Sequence, residues 1–150
     1  MTEEEIQENL QREALVIAPI PKRAFAMFID EALLSMLLIV ILWDAFTSAA
    51  SVEDVIRLTN AFVLEFMAMK IVYQTFFVMQ YGATLGKILM KIRVVEIKTL
   101  NTPGFLSAFN RGVFRIISEM FLYLGFLWGT MNPLRQTWHD KTARTLVVNA

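Results

Sequence analysis

Residues 24–43, AFAMFIDEALLSMLLIVILW, constrain this chain more than any other stretch, because twenty mostly apolar residues run on while carrying two acids, Asp30 and Glu31. A helix of about 20 residues, rising about 1.5 Å per residue, matches a hydrocarbon layer of about 30 Å, so the stretch predicts a membrane span. Each acid near the centre of such a span costs roughly 2.5 to 3.5 kcal/mol of insertion free energy. A carboxylate kept at that cost marks a functional site. Asp30 lies about two turns inside, too deep for its short side chain to reach water, whereas Glu31 points about 100° away and reaches it more readily. Arg23, seven residues before Asp30, returns to the same helix face and is expected to tune its charge.

Composition supports the membrane reading, with 56% hydrophobic residues, twelve Phe and nine Met in 150 residues. One domain is expected. The net charge is zero, and no Lys/Arg cluster interleaved with aromatics points to nucleic acid. Without cysteine, disulfides, thiolate metal sites and Cys nucleophiles are excluded, and His139 as the one histidine argues against a zinc site. No metal and no cofactor is expected. The first apolar stretch is too long for a cleavable signal, holds two acids and follows an acidic start, so it is expected to be retained.

Along the chain, residues 1–18 are expected to form an amphipathic surface helix, with Thr2 and Glu5 in capping-box spacing and Ile6, Leu10 and Leu15 on one side. Pro19 and Pro21 are expected to break that helix before the first span at 24–43. A second span covers 61–81, interrupted by Glu65, Lys70 and Gln74. Residues 88–98 read as a strand, with the β-branched run from Ile92 to Ile97 at its centre, and 144–149 read as a second. The two are expected to pair, since an open strand cannot sit in lipid. Between them, 105–131 form a third helical element, bent or re-entrant, with Gly125 and Gly129 permitting close backbone approach. The fold class is thus an all-α membrane protein of about three hydrophobic helices with a short cytoplasmic two-stranded β element. Lys and Arg number three in 1–23, one in 44–60, five in 82–112 and three in 132–150, which orients the N-terminus and the second loop toward the cytoplasm. Trp43, Tyr81, Trp128 and Trp138 fall near span ends, as interfacial residues do.

Within the apolar segments Asp30, Glu31, Glu65 and Glu119 face only Lys70 and Arg115, and adding Arg23 still leaves one acid over. A surplus carboxylate in low dielectric takes up a proton or holds a cation, which makes Asp30, Arg23, Glu31, Glu65 and Lys70 the candidate ion-binding set. Lys70 is expected to pair with Asp30 or Glu31 rather than act as a nucleophile, and Arg115 with Glu119 at i,i+4. Residues 82–87, GATLGK, are one residue short of a phosphate loop, and Ile88 stands where that loop needs Ser or Thr. No enzyme is expected.

These residues together resemble the RDD family of small membrane proteins, named for an Arg and two Asp residues. Arg23 and Asp30 match its first two, and Thr84, Gly86 and Lys87 followed by Arg93, Val94 and Val95 match its middle segment. Arg111 stands where an Arg is usual, and Arg135 to Asp140 with Ala143, Thr145, Val147 and Val148 is similar to the family's ending, which makes Asp140 the second Asp. His139 and Thr145 belong to that ending, while Arg144 stands where Gly is common. The resemblance implies a multi-pass protein of the bacterial inner membrane. The leading expectation is transport of protons or small cations with Asp30 as intramembrane carrier, working as a homo-oligomer or with a partner membrane protein in the bilayer. The alternative is a non-transporting structural or accessory protein in which Arg23, Asp30 and Asp140 hold the bundle together.

Overall fold

The computed structural model describes residues 2–121 and 127–150. Helix α1, Glu3–Arg12, opens with the capping box, Thr2 accepting from the Glu5 N–H and Glu5 accepting from that of Thr2. It is shorter than expected, and Ile6 and Leu10 are buried against Val95, Leu134, Leu146 and Val148, so these two residues are spent on protein. Helix α2, Ile20–Ile41, then runs straight through the first apolar stretch. The break from α1 lies before it, as expected, with Pro19 as its N-cap and Pro21 in its first turn, where the missing N–H of proline has no partner to lose.

Among the described residues α2 is the one single helix long and apolar enough to cross a membrane. Only Ala26, Asp30 and Leu34 of α2 are buried, while Phe25, Phe28, Met36 and Val40 point outward. A buried acid beneath an apolar exterior inverts the pattern of a water-soluble helix. After a short α3, Trp43–Thr47, helix α4, Val52–Ala61, occupies the segment before the second expected span, and α5, Val63–Tyr81, runs unbroken through that span; the two meet at Phe62 with a bend of 56°. Gly82 caps α5 at φ +69°, a left-handed position suited to glycine.

The one-turn helix α6, Leu85–Leu89, takes the first two residues of the expected strand. Thr84 caps it, and a helix capped there cannot also be strand. Strand β1, Ile92–Glu96, pairs antiparallel with β2, Thr145–Asn149, with Val94 opposite Val147 and Val95 opposite Leu146. Period-two alternation sends Ile92, Val94 and Val147 toward Ala26, Val78 and Ala108 of the helices, and Val95, Leu146 and Val148 toward α1. The free edge of β2 is covered by the segment before α2, where Ala18 N–H donates to Val147 and Asn149 N–H donates to Val16.

Helix α7, Phe105–Met120, packs along α5, and α8, Trp138–Ala143, packs back on α7. The segment after α7 therefore ends packed against α7 again. The expected bend of the third helical element, with Gly125, falls partly on 122–126, outside the described residues. Arg144 caps α8 at φ +54° and so occupies the left-handed region without being glycine.

Two expectations follow. Arg144→Gly removes the left-handed penalty of an L side chain and should raise stability in detergent by about 1 kcal/mol, read from thermal melts. In intact membranes, cysteines at Thr99 and Ala150 should label from one side and a cysteine at Ser48 from the other; opposite labelling of Thr99 and Ala150 would contradict the paired strands.

Candidate functional site

Two buried carboxylates organise the polar centre. Asp30, fully buried on α2, accepts from the Tyr73 hydroxyl at 2.7 Å, the Thr84 hydroxyl at 2.6 Å and the Gly86 N–H at 2.9 Å. The start of α6 is satisfied by the same group of residues, since Leu85 N–H donates to the Tyr73 oxygen at 3.1 Å and Lys87 N–H to the Thr84 hydroxyl at 3.4 Å. The spacing Thr84, Gly86, Lys87 thus has a local cause. Thr84 caps the turn while bonding Asp30, and Gly86 brings the backbone of α6 onto α2, where a Cβ would lie 2.2 Å from the Ala26 carbonyl oxygen and 2.8 Å from Asp30 Oδ1.

Asp140, also fully buried, caps α8 by accepting from the Thr137 N–H at 3.1 Å. Arg23 donates to its Oδ2 at 2.6 Å and Arg111 to its Oδ1; Arg111 also donates to the Thr145 hydroxyl at 2.6 Å. Arg23 donates further to the Arg135 carbonyl, and Arg135 to the carbonyls of Ile17 and Ala18. Burial by itself pushes the Asp140 pKa up, but Arg23 and Arg111, helped by the Thr137 N–H, hold it far below the usual carboxylate range. Asp140 is therefore ionised and clamps α2, α7 and α8 together. Burial keeps His139 well below its usual pKa, so the ring is neutral; it lies 3.1 Å from the Thr137 hydroxyl.

A third group sits among α2, α5 and α7. Lys70 reaches Glu31 at 3.0 Å and Glu119 at 2.7 Å, while Arg115 reaches Glu31 at 3.1 Å, Gln74 at 2.9 Å and Glu119 at 3.7 Å. Lys70 thus pairs with Glu31, as expected, and the i,i+4 pair of Arg115 with Glu119 is present. Two acids and two bases neutralise one another here. The broken partnerships are equally informative. Arg23 does not bond Asp30 although the two share a helix face; its long side chain turns to α8 instead. Glu65 is exposed in the first turn of α5, joins none of these groups and takes no part in the site.

Lys87 is nine-tenths buried, and its ammonium makes no hydrogen bond or ion pair among the described residues. Burial pushes it down to about 7, with Asp30 opposing the shift and Arg111, Arg115 and Arg23 adding to it. Tyr73 and Gln74 are the site residues that the sequence left unassigned as ligands, and a polar ring or amide inside an apolar span was the one available signal.

The fold is mostly helical, with one helix long and apolar enough to cross a membrane among the described residues and a two-stranded sheet closing the end that holds the buried charges. The chain belongs to the RDD family, whose sequence pattern matches residues 17–144. No curated protein and no solved structure matches it.

Replacing Gly86 by Ala drives a methyl into the Ala26 backbone, which can yield less than a side chain. Gly86→Ala should lower the detergent stability of the chain by about 3 kcal/mol. A change under about 1 kcal/mol in equilibrium or thermal unfolding would mean that α6 does not press on α2.

Proposed function

We propose that this chain is an integral membrane protein with a non-transporting, accessory role, in which Arg23, Asp30 and Asp140 lock the strand-bearing end onto the helices. The observation that carries this reading is the saturation of Asp30. Each of its oxygens already accepts from donors on α5 or the α6 turn, and a carboxylate so engaged must break hydrogen bonds worth about 1.5 to 3 kcal/mol each before it can carry an ion. Asp140 is engaged in the same manner by two guanidiniums. The excess of Lys and Arg at the strand-bearing end supports a cytoplasmic orientation for it, and a bacterial inner membrane fits this arrangement.

Transport of protons or small cations with Asp30 as carrier is the rival, and the two readings part on one variant. Asp30→Asn keeps the shape but exchanges an acceptor oxygen for a donor amide opposite Thr84, Tyr73 and Gly86. The accessory role predicts proton and sodium flux in proteoliposomes no greater than in empty vesicles, together with a loss of about 3 kcal/mol of stability in Asp30→Asn. Flux that vanishes in a well-folded Asp30→Asn protein would overturn it and establish transport.

A further inference from the structure

Beside the polar centre lies a cavity of about 110 Å³ that the clamp just described does not use. Its charged lining residues are all bases, Arg23, Lys87 and Arg115, and its other polar lining residues are Gln74, Thr137 and His139. The acids that partner two of these bases, Asp140 and Glu31, do not line it. Lys87 is the exception among the three, being nine-tenths buried with no bonded partner among the described residues.

The charge count points the same way. Among the described residues, the groups around the three clusters comprise five bases, Arg23, Lys70, Lys87, Arg111 and Arg115, against four acids, Asp30, Glu31, Glu119 and Asp140. One base, Lys87, is left over; pushed down to about 7, it is half charged at neutral pH and gains its full charge when an anion is seated beside it. The sequence count left an acid instead, because it included the exposed Glu65 and omitted Lys87, Arg111 and Asp140. A surplus cation buried beside empty space attracts an anion and opposes a second cation.

The shape narrows the chemistry. With a water taking about 30 Å³, the cavity holds about three to four waters or one tetrahedral oxyanion. Its apolar wall is a single stripe of α2, Ile20, Ala24 and Met27, of which Ala24 is exposed. The stripe begins at the strand-bearing end of the span and runs toward its middle, so an anion seated on Lys87 would have an apolar track leading away from it along the helix.

We propose that this cavity binds a phosphate oxyanion, with Lys87 as its principal ligand and Arg23 and Arg115 supplying the surrounding positive field. The phosphate comes either free or as the headgroup of an anionic lipid whose acyl chains follow Ile20, Ala24 and Met27. The inference does not depend on whether ions cross the membrane.

The test is thermal unfolding of the intact chain in detergent at matched ionic strength, with sodium chloride as control, against inorganic phosphate and against phosphatidic acid in mixed micelles. Either probe at a hundredfold excess over its Kd should raise the midpoint on the order of 5 °C. Lys87→Met should melt no lower than the unaltered chain, since it removes an unpartnered buried charge, and should bind the probe at least about tenfold more weakly. Met27→Trp fills the cavity without touching a charge and should abolish the shift, so it decides the matter if Lys87→Met does not fold. A shift with inorganic phosphate assigns a free oxyanion, and one with phosphatidic acid alone assigns a lipid headgroup. No shift with either probe, or shifts kept in full by both variants, would overturn the proposal.

Discussion

A carboxylate removed from water must be given back the donors it has lost, and the buried Asp30 shapes much of this chain through that demand. Its ligands come from two places well down the chain from it: a tyrosine on α5, and a threonine cap with a bare backbone N–H at the start of α6. To deliver them, α5 must lie beside α2 and α6 must touch it, which glycine at 86 permits. The small sheet then follows, because β1 begins three residues after α6 ends.

Asp140 performs the corresponding task from the other end of the chain. Its N-terminal cap on α8 fixes the carboxylate locally, and the two arginines bind that fixed group to α2 and α7. Breaking such a buried pair by removing one partner costs about 3 to 5 kcal/mol, mostly through the charge left behind. The β1–β2 ladder, the strand-edge contacts of Val16 to Ala18 and the Arg135 bonds to Ile17 and Ala18 lie around the same place, so the N-terminal segment, β1 and the tail form one folded end. The first span joins this end through both its backbone and Arg23.

Arg23 and Asp30, though they share a helix face, thus serve different carboxylates. Arg23 and Asp140 are a pair, while Asp30 has its own neutral donors. Seven-residue spacing on one helix suggests that Arg23 and Asp30 act together, and it misleads because it says nothing about what lies across the interface. The same blindness affected Glu65, which is apolar-flanked in sequence yet exposed, and Lys87, which lies outside the expected spans yet is buried. Their exchange reverses the sign of the unbalanced charge.

Sequence alone determined the main elements, though not the short helices α3, α6 and α8 between them. The length of the apolar run identified the long apolar helix α2, the β-branched runs identified both strands, Thr2 and Glu5 the first cap, and the ordered segments around Arg23, Thr84 and Asp140 the family. These are properties of neighbouring residues, fixed by helical and strand periodicity and by local capping. Tertiary structure alone decided which charge meets which. Partners such as Arg23 and Asp140, or Asp30 and Thr84, are separated by 117 and 54 residues. Their contact depends on the rotation and depth of whole helices packed together, and a few degrees of rotation separate a buried clamp from an exposed side chain.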